Sequence, residues 1–381
     1  MKTKYILLTA LVAVSCAKTT EAPKSVYESL PADGKEFLAT NVPVKSTLDS
    51  GGHLHWQESD VIGVYAYNMS DRSYVCANAY PRPDVQGTSA TFKSAKNEDD
   101  WYEGVEEGGQ KAFFAYYPTN GYPIEPKPSD EDQKYLLPFS VEREQNGEFS
   151  NNQVMFAYGG KYTKGSSVSF EFTPLTAILR FRIKSSDGTE CQIGKLLLEL
   201  GTSLMEGGSL GSYLNFNGRK RLDGNFAVDI GATIENSSIT MHQTEHPSWA
   251  SGGDYMEINL VKSGKIINVN SYSYSDYIYA VVVPTVNPEP DLILAISAIK
   301  FDPDHWNEED AFTKGGTDVT YGEILRGFFH LKYLDNSSIS GFDAGKIYDF
   351  NLTLSAGAMD VSHTGTMEFG HYNIIDWGME Q

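Results

Sequence analysis

Residues 165–185, GSSVSFEFTPLTAILRFRIKS, decide the fold. Val168, Phe170 and Phe172 fall on one face of an extended chain. Past Pro174, Ala177, Leu179, Phe181 and Ile183 alternate with Arg180 and Arg182. A period of two is the signature of strands with one face turned to a core. Proline cannot donate to a ladder, so Pro174 separates the two runs. The second run is expected to be a sheet-core strand near a boundary between domains.

The same chemistry extends in both directions. Upstream, KEFLATNVPVKSTLD (35–49) and HWQESDVIGVYAYN (55–68) flank Ser50-Gly51-Gly52, which reads as a hairpin. Residues 61–66 are apolar on both faces, the mark of a central strand. SATFKS (89–94) and KAFFAYYP (111–118) follow, the latter stopped by Pro118. Downstream, KLLLELG, GSYLNFNG, NFAVDIG, ATIENSSITM, YMEINLV, YIYAVVVPTV and LILAISAIKF are short β-rich runs between Gly, Asn, Asp and Pro. That spacing predicts an all-β sandwich. One segment departs from it: DVTYGEILRGFFHLKYL (318–334) places Ile324, Leu325, Phe328 and Phe329 on a helical stripe. The tail, GKIYDFNLTLSAGAMDV and HYNIIDW (371–377), supplies two more strands.

At 381 residues the chain is long for one domain. We divide it into residues 35–164 and 165–381. Its formal net charge of −20 argues against nucleic acid and anionic lipid headgroups as partners. Twenty-three tyrosines and abundant glycine favour strands and turns over helices.

The N-terminus carries an address. MKTKYILLTALVAVSC opens with Lys2 and Lys4, continues apolar to Val14 and ends on Ser15-Cys16. Residues 1–15 read as a secretory signal, too short to span a bilayer. The cysteine makes the stretch resemble a bacterial lipoprotein signal, in which Cys16 is lipidated and holds the protein to a membrane. Residues 16–34 then serve as a polar tether. Cys76 and Cys191 could pair, though two buried thiols fit a chain of this size better.

Taken together, LHWQESDVIGVYAY, FFAYYP, LLPFSVEREQNGEF running into VMFAYGG, FEFTPLTAILRF, YAVVVPTV and GKIYDFNLTL with its terminal IIDW resemble, in order, the fimbrillin family of Bacteroidetes surface lipoproteins. Thr173-Pro174 departs locally from that pattern. The resemblance implies two tandem transthyretin-like Greek-key β-sandwiches, and assembly by β-strand donation between subunits. It implies a subunit of fimbriae that contributes to cell adhesion at the outer membrane: anchor-like or minor if Lys35-Glu36-Phe37-Leu38 begins a retained first strand, a stalk subunit if a protease cuts after one of the early lysines. Its partners would be other fimbrial subunits, the membrane through the lipid, and a host glycan or protein. Our candidate residues for strand exchange are Glu36, Phe37, Leu38, Val42 and Val44 in the first strand, retained or exchanged, with Tyr372, Ile374, Ile375 and Trp377 in the tail as a candidate donor. Stalk subunits of the family are trimmed after a basic residue, commonly arginine. Here the first arginine is Arg72, and only Lys18, Lys24, Lys35 and Lys45 lie between the signal and it.

No string nominates an enzyme, metal or cofactor. Gly207-Gly208-Ser209-Leu210-Gly211 has the spacing of a nucleophile elbow but is followed by a strand and a turn. His53 and His55 could face one way with Glu58, but a fourth ligand is missing. His242 and His246 have helical spacing but precede Pro247. The acidic loop from Asp302 to Asp310 fails the calcium-loop pattern, and Arg219-Lys220-Arg221 is a basic turn. Trp101, Trp306 and SYSYSDYIY (271–279) offer aromatic surface for sugar stacking, although alternating Ser-Tyr also suits a half-buried strand. The alternative function is therefore a surface glycan-binding lipoprotein of a polysaccharide-capture system.

Overall fold

A computed structural model of the protein describes residues 26–40, 56–83, 89–119, 127–128, 135–148, 154–188, 190–201, 203–204, 216–217, 221–242, 255–285, 292–301, 324–330, 341–355 and 365–376. Strands dominate. The helices among the described residues are short: Val26–Ser29, Glu98–Trp101 and Ile230–Asn236. The fold is all-β, as the alternating pattern predicts.

The first sheet has eight strands in the order Val168–Glu171, Gly34–Thr40, Ser89–Asn97, Tyr74–Pro81, Ile62–Tyr67, Gln110–Tyr117, Met155–Thr163 and Thr173–Pro174. Its pairs are antiparallel except the first, where Gly34–Thr40 runs parallel to Val168–Glu171. Ile62–Tyr67 is buried at every residue between two neighbours, which explains why both its faces are apolar. One face of the sheet gathers Phe37, Ala39, Ile62, Val64, Phe92, Phe113 and Phe170 around Trp56 and Trp101. The sheet rolls until its two ends meet. A Cβ on Gly159 would sit 2.9 Å from the Ser169 carbonyl oxygen and 3.0 Å from the Phe170 ring, so the backbone approach requires glycine there.

The second sheet runs Ile278–Val282, Ala177–Ser185, Lys346–Ser355, Gly365–Asp376, Ile324–His330, Ile293–Lys300, Cys191–Gly201, Met256–Asn259 and Glu144–Gln145, with Ile267–Val269 also on Cys191–Gly201. Ile324–His330 is a strand, antiparallel to Ile293–Lys300, and not the expected helix. A short apolar run fits either period, and here the open edge of a long strand decides it. The sheet closes through a side chain. Gln145 accepts from the Val281 N–H (2.9 Å) and donates to the Val281 carbonyl (2.7 Å), while the Tyr279 N–H donates to the Gly147 carbonyl (3.0 Å).

A small sheet shares a core with both: Met241–His242, Gly224–Asp229, Tyr135–Val141 and Lys127–Pro128. Tyr65, Phe114, Tyr116 and Phe156 on the far face of the first sheet share one core with Leu137, Phe139, Phe226 and the interior of the second, including Leu179, Phe181, Leu198 and Ile296. The chain changes sheets between Pro174 and Ala177. Residues 144–145, from the first half of the sequence, already pair in the second sheet.

Candidate functional site

The first strand, Gly34–Thr40, alternates in burial as its sequence does: Lys35, Phe37 and Ala39 point inward, Glu36 and Leu38 outward. It is hydrogen-bonded on both sides. Phe37 stands opposite Val168 on one neighbour and Phe92 on the other. The Phe172 N–H extends the parallel edge to the Thr40 carbonyl at 3.1 Å. The Phe37 ring meets Trp101 edge-on at 5.4 Å, with Phe170 at 5.7 Å and Phe113 at 6.2 Å. Such pairs add to the roughly 1.5–3 kcal/mol that full burial of a large apolar side chain contributes.

The floor beneath Phe37 is built locally. Asn97 caps the helix Glu98–Trp101 by accepting from the Asp100 N–H, and Asp100 accepts in return from the Asn97 N–H. This turn carries Trp101 inward, where its indole N–H donates to Ser94 Oγ at 3.1 Å. Trp101 is fully buried, which corrects its expected role as an exposed aromatic. The acidic string around it covers the surface while the indole fills the core.

Lys35 is held at the mouth of the same slot. Its buried ammonium lies 2.5 Å from Glu98 Oε2 and donates to the Ser166 carbonyl at 3.2 Å. Glu98 Oε1 accepts from the Gly165 N–H at 2.8 Å. A buried charge with a partner and further hydrogen bonds is tolerated where an isolated one is not. Just upstream, the helical turn Val26–Ser29 lays Tyr27 against the outer face. The Tyr27 hydroxyl donates to Glu36 and accepts from Arg82 Nε (3.3 Å), and Lys93 lies 5.1 Å from the ring centroid. Burial, then the Glu36 carboxylate, raise the Tyr27 hydroxyl above its ordinary pKa.

The expected tail residues sit in the other sheet. In Gly365–Asp376, Tyr372, Ile374 and Ile375 stand opposite Phe350, Tyr348 and Ile347. This strand also meets Ile324–His330, at Gly365 and Thr366. The structure therefore does not bring the two candidate exchange strands together within one chain. Cys16, Val42, Val44 and Trp377 lie outside the described residues, as do Ser50-Gly51-Gly52, His53, His55, His246, Gly207–Gly211, Asp302–Asp310 and Trp306. His242 closes a two-residue strand. Cys76 and Cys191 are thiols, in the first and second sheets respectively, and both are half-buried rather than buried as expected. Among the described residues no group of three or more His, Cys, Asp or Glu could hold a metal ion. Among them too, no helix is long and apolar enough to cross a membrane.

Residues 271–277 form an irregular segment rather than a strand. Tyr272 is 89% exposed. Tyr274 and Tyr277 instead cover a row of cations on the outer face of Ala177–Ser185. The Arg180 guanidinium lies 4.1 Å from the Tyr277 centroid and 2.6 Å from Asp349 Oδ2. Arg182 lies 4.8 Å and Lys184 4.6 Å from the Tyr274 centroid. The pairing of this row with its tyrosines, like the Lys35–Glu98 pair, leaves no sequence signal, because the partners are far apart along the chain.

A model of the fimbrillin-like family matches residues 40–377. Among solved structures, the chain is similar to a protein described as a cell adhesion protein from Bacteroides uniformis, at 14% identity and a TM-score of 0.46, over 91% of this chain and 99% of that one. A second such protein, from Bacteroides ovatus, has 12% identity, a TM-score of 0.44 and coverage of 91% and 99%. A fimbrial protein from Bacteroides vulgatus has 14% identity, a TM-score of 0.40 and coverage of 83% and 92%. No curated protein matches the chain.

Proposed function

The chain belongs to the fimbrillin-like family, and from that membership we propose that it is a structural, adhesive subunit of cell-surface fimbriae that works by exchanging a strand, with no reaction to catalyse. The observation that carries this reading is the setting of Gly34–Thr40. Its removal would leave Val168–Glu171 and Ser89–Asn97 with unpaired backbone on facing edges, above an apolar floor of Phe92, Trp101, Phe113 and Phe170. A strand from a neighbouring subunit with a large apolar residue at the Phe37 position would fill both. A subunit that keeps its first strand joins by donating, and the tail from Tyr372 to Trp377, once released from its pairing with Lys346–Ser355, is the donor we favour.

We assign the subunit an anchor-like or minor role, held to the outer membrane through lipid on Cys16. The burial of Lys35 against Glu98 supports retention of the first strand, since a protease cutting there would need that side chain free. N-terminal sequencing of the protein from sheared surface filaments tests the proposal. A mature start ahead of residue 35 is expected. A start beyond it would overturn the anchor role, and absence of the protein from filaments would overturn the fimbrial reading.

A further inference from the structure

The outer face of Ala177–Ser185 carries cations that nothing in strand exchange uses. Arg180 is neutralised by Asp349. Arg182 and Lys184, both half-buried, have only neutral partners among the described residues: Arg182 donates to Asn351 and lies against Tyr274 and Tyr277, and Lys184 lies against Tyr274. Two residues apart on one strand, their stems are about 7 Å apart. On a chain of net charge −20, such a surplus of positive charge is a local exception.

The aromatics over this row are held in place. The Ser275 N–H donates to the Ile183 carbonyl (2.8 Å) and Ser275 Oγ accepts from the Ile183 N–H (2.9 Å), which stitches the segment to the strand edge. Asn270 Oδ1 accepts from the N–H groups of Tyr272 (2.9 Å) and Ser273 (3.0 Å), so the backbone presenting the exposed Tyr272 ring is ordered. The Ser185 N–H donates to the Asn270 carbonyl (2.8 Å), which fixes the start of this segment at the end of the cationic strand, and an exposed tyrosine on an ordered backbone is common at recognition surfaces.

We infer that this face binds an oligosaccharide of uronic acids, with Tyr272 stacking on a sugar ring and Arg182 and Lys184 receiving carboxylates of successive residues. Repeating carboxylates match cations that repeat along a strand, whereas a terminal sialic acid offers one. Guanidinium and ammonium both form charge-assisted bonds to carboxylate. Asp276 and Asp187, exposed at the ends of the face, weaken it. The inference is independent of the fimbrial reading.

Calorimetric titration of the full chain with a galacturonate hexamer tests it. Binding is expected at low salt and should weaken as salt is raised. Tyr272→Ala and the pair Arg182→Gln/Lys184→Gln should each weaken it about tenfold or more, and Asp276→Ala should tighten it. Tyr272→Ala should leave the melting temperature unchanged, so it remains informative if the double variant misfolds. No binding, equal binding of a neutral galactan hexamer, preference for sialyllactose, or full affinity in Tyr272→Ala would each overturn the inference.

Discussion

The side-chain amide of Gln145 occupies the edge of Val281 as a neighbouring strand would, accepting from its N–H and donating to its carbonyl. Gln145 itself lies in a two-residue strand paired in parallel with Met256–Asn259. One buried side chain thus joins the two ends of a sheet.

Gln145→Ala should leave both polar groups of Val281 buried without a partner, at a cost of about 2–3 kcal/mol. Gln145→Glu should cost a similar amount, because a carboxylate cannot donate to the carbonyl. Urea denaturation of each variant checks this, with unchanged stability as the contrary result.

Phe37→Ala should destabilise by about 3–5 kcal/mol, since it empties a fully buried site ringed by aromatics. Leu38→Ala, one residue on and facing outward, should cost no more than about 1 kcal/mol. The edge contact with Trp101 makes intrinsic tryptophan fluorescence a direct reporter. Equal effects at the two positions would mean that the alternation does not hold the strand.

Trypsin should spare the Lys35–Glu36 bond in the native protein. Glu98→Ala should expose it, because the ammonium loses its carboxylate and the first turn loosens, at about 2 kcal/mol for a half-exposed charge-assisted hydrogen bond. Mass spectrometry of brief digests reads the outcome directly. Cleavage there in the unaltered protein would remove the structural support for a retained strand.

Alkali should weaken the fold. Burial pushes the hydroxyls of Tyr65, Tyr102 and Tyr117 above their ordinary value of 10.0, and the Asp60 carboxylate 3.0 Å away adds to this at Tyr117. Below that value the folded and unfolded chains both keep these protons, and the stability they support is intact. Above it the unfolded chain ionises first, so stability falls until the folded-state values are passed. Lys111 acts in the other direction, because burial lowers its pKa, and stability rises with pH between its folded value and 10.5. Denaturation midpoints at rising pH, with tyrosinate absorbance as the second readout, should fall together. A flat profile would contradict the tyrosine burial.

A fragment of residues 165–381 should fail to form a stable fold. It lacks Tyr135–Val141, which pairs with Gly224–Asp229, and it lacks Gln145. A fragment starting at residue 127 should be more soluble, as measured by size-exclusion chromatography. A soluble, cooperatively folded 165–381 fragment would show that the crossing segment is dispensable.

The strands were legible because period-two alternation is local. Ile62–Tyr67 and Ala177–Ser185 announce themselves through their own side chains. Ile324–His330 did not, since seven residues of mixed apolar character fit a helical stripe as well as a strand. Trp101 misled because its neighbours are acidic: a capping turn buries one residue of a string whose composition suggests solvent. Lys35 and Gln145 were silent for another reason. Their partners, Glu98 and Val281, lie 63 and 136 residues away, and no window of the sequence contains both members of either pair.

The order in which the chain is made has a consequence here. Gly34–Thr40 must wait for Val168–Glu171 before its parallel edge can form, and Gln145 must wait for Val281. Gly365–Asp376, an interior strand of the second sheet, emerges last of all. The first sheet cannot complete its pairing until residue 174 has been made, nor the second until residue 376, so long stretches of the nascent polypeptide wait unpaired. That is the condition in which a chain can be threaded through a narrow membrane pore, and completion is deferred until the C-terminal end is free.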